Sequence, residues 1–263
     1  MARLTVLAPA PAGAWPGTAR WGRGYWLMTR WQLAGLRAWF AVLAAIQVLA
    51  GAGAVLAVAL FFRRLPASAA LFMATGVPVV NLILVGILLG PQLVAAQKLQ
   101  QGYEFMRTLP VPWTAAAAAW YTVCLIAGVP GAALAMIVAA ARYGVGLSVS
   151  AAILPAVLLT AFTGTMLGYA LGHALPDPML TRLLSQVLLF AVFGFTPVAF
   201  PARQLPGWLA SLNGWLPFGH MAVIVRAGLS TGLAGGVASS YLIVALWGLA
   251  GALLAGWVIG RRG

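Results

Sequence analysis

Only 2 of the 263 residues are acidic, Glu104 and Asp177, against 15 basic ones, and the chain holds one cysteine, one lysine and two histidines. Each scarcity removes a class of chemistry. A single thiol, Cys124, leaves no partner for a disulfide and no ligand set for zinc or an iron–sulfur cluster. His173 and His220 are far apart in sequence and, in the topology derived below, on opposite sides, so they suggest no metal site. Both acids fall outside the apolar stretches, so no serine–histidine–acid set is evident and no catalytic residue is assigned to this chain. Lys98 follows no glycine-rich phosphate loop, so the chain does not bind ATP in that manner itself.

Charge is also missing from long stretches. Residues 38–62, 65–97, 108–141, 143–176, 183–202, 204–225 and 227–260 carry none. A charged side chain is costly at the bilayer centre, and a crossing needs about 20 mostly apolar residues. The formal charge of +13 therefore marks membrane topology, and nucleic acid is not expected as a partner. The run 204–225 is the exception: Pro206, Gly207, Asn213, Gly214, Pro217, Gly219 and His220 interrupt it too often for one continuous helix in lipid, so two short pieces are expected there. Six spans remain, near 39–61, 70–94, 114–140, 149–173, 183–201 and 237–260. The fold class expected is an all-α integral membrane protein.

An even span count leaves both termini on one side. That side then carries 10 basic residues, Arg3, Arg20, Arg23, Arg30, Arg37, Lys98, Arg107, Arg182, Arg261 and Arg262. The other side carries 5, Arg63, Arg64, Arg142, Arg203 and Arg226, with Arg63 and Arg64 dissenting locally. The excess assigns both termini to the cytoplasm.

Residues 1–19, rich in Ala, Pro and Gly, are expected as a flexible cytoplasmic tail, with 261–263 as a second short one and no signal peptide at the start. If 20–37 is helical, Arg20, Arg23, Arg30 and Arg37 share one face and Trp21, Tyr25, Met28 and Leu36 lie roughly opposite. That pattern fits an interfacial helix with its arginines on anionic lipid headgroups; a basic juxtamembrane linker is the alternative. Trp39, Trp113 and Trp257 sit near span ends, where amphipathic rings anchor helices. Gly164, Gly168 and Gly172 recur at intervals of four, and Gly248, Gly251, Gly256 and Gly260 line the last span; such faces suit close helix packing, or else a small-residue solute path.

No span carries a carboxylate or a cation in its middle, so proton coupling is disfavoured and energy is expected from a separate ATPase. Residues 98–112, KLQQGYEFMRTLPVP, are the natural docking place: a short helix would offer Tyr103, Phe105 and Met106 to a groove, with Lys98, Glu104 and Arg107 fixing register. A solvated hairpin with a local Glu104–Arg107 pair is the plainer reading.

Three features, in order over 20–260, resemble the membrane-spanning permease subunit of ABC exporters of the type 2 class. They are the amphipathic helix before span one; Gly102-Tyr-Glu-Phe-Met-Arg-Thr-Leu-Pro110 after span two; and Phe195-Thr-Pro-Val-Ala-Phe-Pro201 with Gln204-Leu-Pro-Gly-Trp208 and Leu216-Pro-Phe-Gly-His220 before span six. The resemblance implies two permease chains, alike or different, with two cytoplasmic ATP-binding subunits that hold ATP and Mg; no cofactor is implied on this chain. It implies a coupling segment at 98–109, with Gly102, Tyr103, Glu104, Phe105, Arg107, Leu109 and Pro110, and a second ATPase contact at Asp177 and Arg182. It implies a re-entrant outer gate at 202–220 and its approach, involving Pro197, Pro201, Leu205, Pro206, Trp208, Pro217 and His220. Such permeases sit in the bacterial inner membrane and export drugs, including antibiotics, lipids or polysaccharides.

Sparse charge favours an amphipathic or hydrophobic cargo. Tyr121, Phe190, Phe193 and Phe195 are candidates for stacking on a sugar or drug ring along the solute path, although core packing explains them equally well. A secondary carrier and a non-transporting membrane assembly subunit remain alternatives from the residues alone.

Overall fold

The structure, a computed structural model, describes residues 17–37, 40–61, 66–99, 109–198, 201 and 205–262. Among these residues the regular structure is all helical, with no strand. The helices are α1 (Gly17–Leu36), α2 (Phe40–Phe61), α3 (Ala67–Leu84), a π-turn (Val85–Leu89), α4 (Gly90–Leu99), α5 (Trp113–Tyr143), α6 (Ile153–Ala174), α7 (Pro178–Phe195), α8 (Gly207–Asn213), α9 (Pro217–Leu229) and α10 (Val237–Arg262). Five helical stretches among the described residues are long and apolar enough to cross a membrane: Ala67–Leu99, Trp113–Tyr143, Ile153–Ala174, Pro178–Phe195 and Val237–Arg261. The chain is thus compatible with a multi-pass membrane protein. The 22-residue helix α2 contains no charged residue either.

The central member is the stretch Ala67–Leu99. Pro91 has no N–H to give Ile87, and the turn before it widens, with the Gly90 N–H bonding the Val85 carbonyl five residues back. The widened turn carries Gly86, onto which α6 packs. A Cβ on Gly86 would fall 2.7 Å from the Thr165 nitrogen, and one on Gly172 would fall 3.3 Å from the Pro91 Cα. A Cβ on Gly168 would overlap the Gly86 carbonyl. The four-residue glycine interval of α6 is therefore a backbone-to-backbone seam. On α10, Gly248, Gly251 and Gly256 approach Thr163, Met166 and Trp113 respectively, whereas Gly260 has nothing within 4 Å.

The largest buried apolar cluster joins Val79, Ile83 and Ile87, Ala156 of α6, Val192 of α7, Val244 of α10, and Phe218, Met221, Ile224 and Val225 of α9. The short helix α9 is thus a core element. At one end of the bundle the Tyr143 hydroxyl donates to the Val55 carbonyl at 3.1 Å, and Ser148 N–H donates to the Leu229 carbonyl at 3.0 Å. At the opposite end Lys98, Asp177, Trp113 and the C-terminus of α10 gather.

Boundaries differ from the charge-based reading in two places. The N-terminal helix begins at Gly17, so residues 17–19 belong to it and not to a tail. The fifth apolar helix runs Pro178–Phe195 instead of 183–201. Arg182 sits exposed inside it, and Thr196–Pro197 ends it; a run bounded by charges misses both effects.

Candidate functional site

Three groups of residues stand out. The first is at the Lys98 end. Lys98 closes α4, and its Nζ donates to the Gly172 carbonyl at 2.7 Å and the Leu175 carbonyl at 2.5 Å. Those carbonyls belong to the final turn of α6 and the residue capping it, where a cation is favoured by the helix dipole. Two residues further on, Asp177 caps α7: its Oδ1 accepts from the Met179 N–H at 2.8 Å, and Pro178 occupies the first helical position. The connection between α6 and α7 is only Leu175–Asp177, and one side chain ties it to the start of the 98–109 segment. Arg182 lies on the exposed face of α7 close to this junction. Leu109 and Pro110 lead into α5, which Pro112 precedes. Gly102, Tyr103, Glu104, Phe105 and Arg107 lie outside the described residues.

The second group is the interrupted run. As expected it divides into two short helices, each opened by proline: Pro206 precedes α8 and Pro217 starts α9. Leu205 leads into α8, and Trp208 and Trp215 are exposed, at 69% and 80%. The turns between them are held by side chains. Asn213 Nδ2 donates to the Phe195 carbonyl at 2.8 Å and the Leu209 carbonyl at 2.9 Å. His220 Nε2–H donates to the Gly214 carbonyl at 3.0 Å, and Nδ1 is hydrogen-bonded to the Ser240 hydroxyl, also at 3.0 Å. Pro197 packs beside Gly219. Pro201 is described, whereas 202–204 are not.

Sequence reasoning ended this segment at His220, but α9 continues to Leu229 and buries Arg226, which is 3% exposed. Its Nε–H donates to Thr75 Oγ1 at 3.1 Å and Nη2 to the Val198 carbonyl at 3.0 Å, while Cζ lies 3.6 Å above the Phe72 ring. Arg226 therefore does not serve as a simple topology marker on the non-cytoplasmic side: it is a buried bracket joining α3, the α7–α8 turn and α9. Its isolation between two long apolar runs was the available signal.

The third group is on α1. Gly24, Met28, Thr29, Gln32 and Leu36 are buried, and the helix lies along α5. Trp21 Nε1–H donates to Thr114 Oγ1 at 3.0 Å, the Tyr25 and Thr122 hydroxyls are 2.9 Å apart, and the Trp21 and Tyr25 rings stack. The face holding Tyr25, Met28 and Leu36 thus meets protein, and the outward apolar positions are Trp26, Leu27 and Trp31. Arg20, Arg23, Arg30 and Arg37 are all exposed.

The candidate solute-path aromatics are not one cluster. The Tyr121 hydroxyl donates to the Leu158 carbonyl at 2.9 Å and its ring meets Phe162 edge-on, against α6. Phe190, Phe193 and Phe195 are exposed along α7. Three buried amides escaped sequence reasoning altogether: Asn81, whose Nδ2 donates to the Gly131 carbonyl at 3.1 Å, Gln47 and Gln32. Uncharged side chains leave no mark on a charge map. Among the described residues no three His, Cys, Asp or Glu side chains group as metal ligands. Comparison with known proteins finds no matching family model and no matching curated protein.

Proposed function

We propose that this chain is the permease subunit of an ATP-driven exporter of the type 2 ABC class, moving an amphipathic or hydrophobic solute outward across a bacterial inner membrane. Two permease chains and two ATP-binding subunits would form the working assembly. The observation that carries the reading is the Lys98 junction. Lys98, the first residue of one segment assigned to the ATPase, bonds the Gly172 and Leu175 carbonyls beside Asp177, which belongs to the other, so the start of the first is tied to the second by one side chain. Motion delivered to either would reach α4, α6 and α7 together. The direction of transmission runs from there along Ala67–Leu99, which packs on α5, α6 and α9.

In this reading α2 is the sixth crossing and both termini are cytoplasmic. Helix α5 has 31 residues, about 46 Å at a rise of ~1.5 Å each, against a hydrocarbon core of about 30 Å. At its Trp113 end α1 bonds Thr114 and Thr122 through Trp21 and Tyr25, and the exposed arginines of α1 support its reading as the interfacial helix. The segment before α10 turns back inside the membrane. Support comes from Trp247, whose Nε1–H donates to the Trp215 carbonyl at 2.8 Å. Trp247 lies ten residues, roughly 15 Å of helix, beyond Val237, so the α8–α9 turn lies well below the end of the bundle. Irregular backbone at that depth is tolerable because side chains of Asn213 and His220 bond it and α9 is buried in protein.

The test is purification from native membranes with associated subunits, followed by ATP hydrolysis with lipid, glycan and drug candidates. Tyr103→Ala with Phe105→Ala, or Glu104→Ala, is expected to leave the complex assembled and to abolish substrate stimulation. Full stimulation and transport in those variants would remove the coupling assignment.

A further inference from the structure

We propose that a cavity between α1, α2 and α5 binds a small amphipathic molecule through its hydroxyl group, read by the carboxamide of Gln47. The cavity has a volume of ≈ 140 Å³. Leu33 and Leu36 of α1 form one wall, Val48 of α2 another, and Val123, Ile126 and Leu134 of α5 the third. Gln47 supplies its polar side chain. Its residue is 5% exposed, and neither Oε1 nor Nε2 has a hydrogen-bond partner among the described residues.

A buried amide with both ends unpaired is uncommon, because each polar atom loses water and gains nothing. Here the surroundings keep it so. Gly131 abuts Gln47 at the cavity wall; a Cβ there would come within 2.9 Å of the Gln47 Cβ and 3.2 Å of Nε2, so glycine leaves the amide room. The Gly131 carbonyl is engaged by Asn81 Nδ2.

Size and chemistry define the occupant. A dry apolar cavity of about 150 Å³ takes benzene, so this one accepts an apolar body of similar size. One ordered water, with a share of about 30 Å³, would satisfy Gln47 but leave most of the space empty. A hydroxyl is the group that both accepts from Nε2–H and donates to Oε1; an ether or ketone engages only Nε2, leaving Oε1 unpaired. Among the described residues no cation lines the cavity, so a carboxylate would be buried without compensation. Val48, Ile126 and Leu134 are all exposed on their outer sides, so the ligand enters from the surface that a bilayer would cover. The proposal does not depend on the exporter assignment.

The probe is a photoactivatable diazirine analogue of 1-heptanol, with the matching heptane analogue as control, applied to the full chain in nanodiscs and mapped by peptide mass spectrometry. Labelling by the alcohol is expected to saturate, to fall on peptides holding Leu33–Leu36, Gln47–Val48 and Val123–Leu134, and to yield to benzyl alcohol in preference to toluene by about tenfold, the worth of one or two neutral hydrogen bonds. Gln47→Leu should abolish that preference while the heptane analogue still labels. Ala127→Phe, which narrows the cavity and keeps the amide, should abolish labelling by both and serves equally if Gln47→Leu does not fold. Equal labelling by alcohol and alkane, unsaturable labelling over the whole apolar surface, or labelling unchanged in Ala127→Phe would overturn the proposal.

Discussion

Arg226 illustrates how one residue can carry the join between three elements. Its guanidinium bonds Thr75 and the Val198 carbonyl and stacks on Phe72, so it satisfies a turn carbonyl and fixes α9 against α3 at once. Arg226→Ala is expected to destabilise the fold by about 2–4 kcal/mol, from lost packing and an orphaned carbonyl, read as a lowered midpoint of thermal unfolding in detergent. Arg226→Lys should recover only part of this, since an ammonium cannot stack flat on Phe72 while reaching both acceptors. Lys98→Met should cost roughly 1–3 kcal/mol by uncovering the Gly172 and Leu175 carbonyls. At this scale the sequence was a partial guide. It marked Asp177 and Lys98 because charge is rare here, but it counted Arg226 only as a topology marker, since a charge map records position along the chain and not what folds over it. Gln47 and Asn81 were invisible for the complementary reason, having no charge.

At the level of elements, apolar run length was the strongest signal, and α2 and each of the five membrane-length apolar stretches overlap a charge-free run. Ends were less legible. The start of α7 depends on the Asp177–Pro178 cap, which tolerates Arg182 within the helix, and no charge pattern encodes that. The outward face of α1 was also mistaken in part, because helical periodicity identifies an apolar side without saying whether lipid or α5 covers it. Glycine spacing did better: the interval of four on α6 corresponds to its seam on Gly86. Gly168→Leu should therefore prevent folding, collapsing the monodisperse peak in fluorescence-detected size exclusion, because its first carbon already overlaps backbone. Gly260→Leu, with nothing within 4 Å, should leave that peak unchanged.

The whole molecule is a bundle in which one end is knitted by Lys98 and Asp177 and the other by Tyr143, the Ser148 loop and α9. Six crossings with both termini cytoplasmic predict that fusions at residue 263 fluoresce as green fluorescent protein and stay inactive as alkaline phosphatase; the reverse pattern would refute an even count with that orientation. The central claim is that motion enters this bundle from a separate ATPase at the Lys98 end. The most direct measurement is ATP hydrolysis by the complex purified on this chain from native membranes and reconstituted in liposomes, comparing the native sequence with Tyr103→Ala/Phe105→Ala. The account predicts a co-purifying ATP-binding subunit in equal number, hydrolysis stimulated several-fold by the transported solute, and loss of that stimulation in the double variant with the complex intact. A chain that purifies without any ATPase and whose transport is dissipated by an uncoupler would contradict it.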